Sequence, residues 1–297
     1  MIDRRIALPT GVALDITMGG AGEPVLFLHG FPESRRTWRH QLADLASDYQ
    51  VAAPDQRGYA RSSKPPRVED YRIDEIVGDV LALADALGWD RFTLAGHDWG
   101  GGAAWAAALK KPDRIARLII ANAPHPLIFQ RSLIDEPAQR EASQYINAFR
   151  SPGIDAYLAA MPAEHFFDKS FASHVDIAKV SSADRAAYID EWSAPGALSA
   201  MLNWYRASNM IVPAPGESPD RPEWIDAPFP SLKMPVLVIW GMRDTALLPI
   251  QLEGLDPLLD DLTIVRVPEA GHFVTWEAPA AVTAAIRGFL AARPLPA

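Results

Sequence analysis

The chain predicts an α/β fold, a mostly parallel doubly wound sheet with an inserted helical cap, and three observations carry that expectation. Short apolar runs ended by Gly, Pro or Asp alternate with helical patterns. The alternation breaks off between about residues 125 and 226, where the patterns are helical only, and then resumes. Residues 92–102, FTLAGHDWGGG, read as a strand turning abruptly into a helix. Taken in order, residues 5–8 and 12–18 flank the turn residues Pro9, Thr10 and Gly11 and make an edge hairpin. Gly19, Gly20, Ala21 and Gly22 precede a strand instead of following one, which makes them a turn and not a phosphate loop. Residues 25–28, 51–53, 92–95, 118–121, 236–240 and 263–267 are expected as buried parallel strands, because apolar runs of this kind suit a sheet covered on both faces. Helices are expected at 73–87, 100–110 and 278–292. Residues 1–125 and 226–297 then form the core and 126–225 the cap, whose exit is marked by Pro213, Pro215, Pro219, Pro222, Pro228 and Pro230.

The chain has 297 residues, 49% hydrophobic and 22% charged, enough for one large core plus an insertion. No apolar run approaches the ~18 residues that a membrane span needs, and Met1, Ile2, Asp3, Arg4 and Arg5 are charged where an export signal is apolar, so a cytoplasmic protein is expected. With no cysteine there is neither disulfide nor thiolate chemistry, and a site must be built from oxygen and nitrogen groups. A formal charge of -9 opposes a nucleic-acid surface and suits a small neutral substrate. No His spacing suggests a metal site, and no cofactor is expected.

Gly96 and Gly100 let the backbone turn sharply around Asp98, projecting its carboxylate from the strand end beside a helix N-terminus, in a strained and exposed position. On its own such an acid serves equally well as a helix cap; the rest of the chain favours a nucleophile. Residues 25–32, VLFLHGFP, run a strand into a turn whose Phe31 N–H, with that of Trp99, would hold an oxyanion. His29 inside that turn is read as bonded to its own loop. Asp244, just after the strand at 236–240, stands where the acid belongs in the order nucleophile, acid, histidine. The competing place after residue 121 holds Asn122, which has no charge with which to stabilise an imidazolium. His272, in the loop after the last strand, is the general base. His40, His125, His165 and His174 have no comparable placement and read as surface or packing residues.

With these residues in place the chain resembles the soluble epoxide hydrolase family of the α/β-hydrolase fold over nearly its whole length. The motifs that carry the resemblance are His29-Gly30-Phe31-Pro32-Glu33-Ser34 with Trp38-Arg39-His40-Gln41, then Gly96-His97-Asp98-Trp99-Gly100-Gly101, and Asn203-Trp204-Tyr205-Arg206 in the cap. The resemblance implies Asp98, Asp244 and His272 as a triad. It also implies a pair of cap tyrosines above the substrate, which map to Tyr205 and Tyr145. The chain departs from the family at Ala60, where Gly is usual, and beyond Asn209, where the cap does not align; both departures bear on substrate shape.

The residue types suit an epoxide. A carboxylate with an ordinary pKa near ~3.9 is ionised at neutral pH and attacks a saturated carbon without a base. A phenol of pKa about 10 still holds a proton for the opening ring, and His272 then activates water against the ester on Asp98. The expected partners are a small apolar epoxide and water, with Phe166, Phe167 and Trp204 hinting at an apolar pocket; a homodimer stays open. Two other readings stand beside this one. A haloalkane dehalogenase uses the same aspartyl ester and is compatible with Trp99, but its second halide donor, often Asn, falls here on Phe31, which has no side-chain donor. A non-catalytic, ligand-sensing protein of the same fold would have no use for the intact triad.

Overall fold

The computed structural model describes residues 1–295. Strands β1 (Ile2–Ala7), β2 (Ala13–Gly19), β3 (Glu23–Leu28), β4 (Tyr49–Pro54), β5 (Phe92–His97), β6 (Ile115–Ala121), β7 (Leu232–Gly241) and β8 (Leu259–Val267) form one sheet in the order β1-β2-β4-β3-β5-β6-β7-β8. β1 pairs with β2 and β2 with β4 antiparallel, and every other pair is parallel. Each of the six internal apolar runs lies inside one of the strands β3 to β8. β1 starts at Ile2 and not at Arg5, because an edge strand needs only backbone pairing, here from Ile2 with Met18 to Ala7 with Ala13, and its side chains are nearly all exposed.

Alternating side chains divide the core in two. Val25 and Phe27 face one side, packing with Trp38, Leu42 and Leu45 at α1 (Arg39–Leu45). Leu26 and Leu28 face the other, where α2 (Ile73–Ala86) and α3 (Trp99–Lys110) cover the sheet. Between β6 and β7 the chain runs through α4 (Pro126–Asp135), α5 (Pro137–Ala142), α6 (Gln144–Arg150), α7 (Ile154–Ala159), α8 (Ala163–Phe167), α9 (Ser182–Ser193) and α10 (Ala197–Arg206) without a strand. The indoles of Trp192 and Trp204 fasten this helical layer to the sheet domain by donating to the carbonyls of Pro32 (2.8 Å) and Arg57 (3.0 Å). After β8 follow α11 (Val274–Glu277) and α12 (Pro279–Ala291), the latter completing the α1 side. Among the described residues no helix is long and apolar enough to cross a membrane.

From β3 the chain moves outward to β4, then returns to the opposite side of β3 as β5. The winding reverses there, and a crevice opens at the carboxyl ends of these two strands. Leu28 pairs with Gly96 at that end, so the loop after β3 and the turn after β5 lie side by side.

Candidate active site

Asp98 alone joins β5 to α3, at φ 48° and ψ -122°. Such a conformation costs about 1–3 kcal/mol and persists only where its surroundings enforce it. They do so by close approach: a Cβ on Gly96 would run into the backbone of Gly100, and one on Gly100 into the carbonyls of Leu28 and His29. A Cβ on Gly30 would occupy the place of the Asp98 side chain itself. With the loop this near, Phe31 N–H donates to Asp98 Oδ1 at 2.7 Å. Trp99 N–H, the first of α3, has no acceptor within its own helix. The expectation of an exposed carboxylate needs correction: the Asp98 side chain is only 11% exposed, because the helical layer roofs it.

His272 Nε2 lies 3.6 Å from Asp98 Oδ2, and its Nδ1 lies 2.8 Å from Asp244 Oδ2. Asp244 is oriented in turn by the N–H groups of Ala246 and Leu247 on Oδ1, both at 2.9 Å, and by the Asn122 amide on Oδ2 at 2.8 Å. Burial opposes charge on all three titrating groups, yet their mutual attraction prevails. His272 is held well above the usual imidazole range, since the negative charges and hydrogen bonds of Asp244 and Asp98 outweigh its desolvation. Asp98 is held below the usual carboxylate range by His272, His97 and Phe31 N–H against its burial, and Asp244 likewise by His272, Leu247 N–H and Asn122. The arrangement thus favours a protonated imidazole between two carboxylates.

A cavity of about 470 Å³ opens over Asp98 and Trp99. Tyr145 from α6 and Tyr205 from α10 line it, their ring centroids 6.0 Å apart and the planes at 83°. Tyr205 stands edge-on to both Phe31 and Trp99, each at 5.1 Å. Burial and then the charge of Asp98 push both phenols well above their ordinary pKa, so both keep their protons at neutral pH. The fold thus gathers a strained carboxylate, a carboxylate-backed imidazole and two phenols around one apolar cavity that opens to solvent.

The sequence pattern of a family described as alpha/beta hydrolase fold matches residues 23–279. Epoxide hydrolase 4 of Mus musculus is 30% identical over 93% of this chain and 75% of its own length. Among solved structures, one of the novel epoxide hydrolases from metagenomes of hot environments is 46% identical, with a TM-score of 0.90 over 98% of each chain. A mutant of an epoxide hydrolase from Bacillus megaterium is 31% identical, with a TM-score of 0.88 over 97% of this chain and 100% of that one. The chain belongs to the epoxide hydrolase family of α/β-hydrolases.

Within this epoxide hydrolase family member the other sequence readings take definite places. His29 is bonded within its loop: its Nδ1 faces Gly30 O at 2.9 Å, its Nε2 accepts from Gln56 N–H at 3.0 Å, and burial lowers its pKa to about 4. His125 packs edge-on against Trp105, while His40, His165 and His174 are exposed. Of the three cap aromatics expected at an apolar pocket only Trp204 lines the cavity; Phe166 and Phe167 pack instead against Trp192 inside the helical layer. Ala60 adopts φ 42°, a conformation that glycine takes without strain. Among the described residues no group of three or more His, Asp or Glu is placed to hold a metal.

Two features went unread. Asn122, dismissed for want of charge, spans the gap to Asp244: its amide N–H₂ donates to the carboxylate while its Oδ1 accepts from Gly241 N–H at 2.8 Å. His97 donates from Nε2 to the His272 carbonyl at 2.9 Å, while its Nδ1 meets Glu33 Oε2 at 2.7 Å and Glu33 Oε1 accepts from the Trp276 indole at 2.8 Å. This buried chain fixes the backbone of His272 from behind. Its only trace in the sequence is an acid in an apolar turn and a histidine next to Asp98.

Proposed function

We propose that the chain adds water to an epoxide through an ester on Asp98 and releases a vicinal diol, with residues 126–225 acting as the cap over the site. The observation that carries this reading is the pair of protonated phenols, Tyr145 and Tyr205, on the cavity wall shared with an ionised Asp98. Phe31 N–H occupies Oδ1, which leaves Oδ2 as the attacking oxygen. As the ring opens, its oxygen gains charge and takes a proton from a phenol. The ester carbonyl, Oδ1, stays with Phe31 N–H and Trp99 N–H, the two donors assigned to its oxyanion. Water activated by His272 attacks the ester carbon, and Asp244 stabilises the imidazolium that results.

A single turnover in heavy-oxygen water with enzyme in excess tests the ester. The diol is expected to be essentially unlabelled and one oxygen of Asp98 labelled, because the first oxygen transferred belongs to the protein. Labelled diol with an unlabelled protein would mean direct attack by water.

The phenols separate an epoxide from a halide as the leaving group. Replacing both Tyr145 and Tyr205 by Phe is expected to lower kcat for styrene oxide about 10²- to 10⁴-fold. The single variants lose less each, since two donors aimed at one oxygen partly substitute for each other. A halide leaves without a proton, and Phe31 supplies no side-chain donor for it. Turnover of 1-bromobutane that survives the double change but collapses in Trp99→Phe would point to dehalogenation.

A further inference from the structure

Gly100, Gly101 and Gly102 follow one another at the start of α3, yet packing demands only two of them. A Cβ on Gly100 would strike the carbonyls of Leu28 and His29, and one on Gly101 the Cβ of Ala123. On Gly102 it would meet nothing nearer than the Trp99 ring at 3.9 Å, an ordinary contact. Glycine weakens a helix relative to alanine, so a glycine where a Cβ fits calls for another reason.

Gly102 borders the cavity, as do Trp99, Ala106, Leu109 and Lys110. These are the residues of α3 that keep some exposure, while those between them are buried. Spacings of three and four place them on one helical face. From Trp99 to Lys110 the helix rises about 16 Å. The cavity therefore follows α3 from the Asp98 carboxylate to the exposed end of the helix, where Lys110 pairs with Asp74 at 2.7 Å. Across from this face stand apolar side chains, among them Ile73, Phe129 and Met210. Between Trp99 and Leu109 the α3 wall is bare, with glycine and then alanine.

We propose that Gly102 and Ala106 hold open a channel along α3 that receives the substituent of the substrate, and that the substrates are epoxides bearing a long apolar chain. The substrate class rests on the epoxide reading above; the channel rests on the shape of α3. A leucine at 102 fills the channel close to Asp98. A leucine at 106, four residues and about 6 Å further out, truncates it later.

The test compares wild type, Gly102→Leu and Ala106→Leu on 1,2-epoxybutane and 1,2-epoxydecane, with thermal unfolding in the absence and presence of 1,2-decanediol. Wild type is expected to prefer the longer epoxide. The ratio of kcat/KM for the long over the short substrate should fall about ten-fold or more in Gly102→Leu, since each displaced methylene forfeits roughly a four-fold gain. Ala106→Leu should lower the ratio by less. Stabilisation by the diol should be lost in Gly102→Leu, while its unfolding temperature without ligand is no lower than wild type. An unchanged substrate ratio together with an unchanged diol response in both variants overturns the channel. Diol binding that Gly102→Leu abolishes, in a wild type that turns over neither epoxide, upholds the channel and overturns the epoxide reading alone.

Discussion

Asp98→Ala is expected to lower epoxide turnover about 10⁴-fold or more, the scale on which removing a covalent nucleophile acts. On the proposed mechanism the carboxylate makes the new C–O bond, and no neighbour is placed to do so instead: His272 faces Asp98 Oδ2 from 3.6 Å and has Asp244 on its other nitrogen. The fold should survive, since the side chain makes a single backbone hydrogen bond, from Phe31, and the turn is enforced by Gly96 and Gly100. Steady-state kinetics on styrene oxide beside far-ultraviolet circular dichroism reads both. A folded Asp98→Ala protein that retains wild-type turnover would remove the aspartyl ester from the mechanism.

His272→Gln is expected to separate the two half-reactions. Attack by Asp98 needs no base, whereas hydrolysis of the ester does, so the variant should consume one equivalent of epoxide and then slow by about 10²- to 10⁴-fold. Intact-mass spectrometry after mixing should show the protein heavier by one substrate, and peptide mapping should place the addition on Asp98. An unmodified mass under conditions where substrate is consumed would assign the water-activating role elsewhere.

The sheet and the nucleophile turn were legible because their causes are local. Buried strands such as Val25 to Leu28 are apolar at every position, and the Gly96 to Gly100 spacing is itself the sterically forced feature. β1 was read short because an exposed edge strand carries no apolar period. That Asp98, Asp244 and His272 would meet followed from the order of three loops at one sheet edge. Tyr145 and Tyr205 did not: nothing in either residue's neighbourhood distinguishes a phenol over a reacting carbon from one packed on a helix, and only the family resemblance singled them out. Asn122 is not the acid, for want of charge, and its part in orienting Asp244 by a hydrogen bond leaves no mark in the local sequence. The Glu33, His97 and Trp276 chain joins three distant stretches of sequence, and no local pattern reports such meetings. Gly102 was visible as one letter in a run of three glycines, and only the space around each told them apart.

The placement of His272 between two carboxylates also sets how protons circulate through a turnover. On the proposed roles, esterification erases the charge of Asp98, and the imidazolium loses one of the two anions that held its proton against the cost of burial. The proton it can then shed balances the one that a phenol gave to the opened ring. The imidazole is then neutral and able to accept a proton from the attacking water. When the ester collapses, the departing diol oxygen takes the second proton of that water, Asp98 regains its charge and the new imidazolium is again doubly held. Each half-reaction thereby sets the protonation state that the other requires, and the site returns to its starting charge without drawing a proton from bulk water.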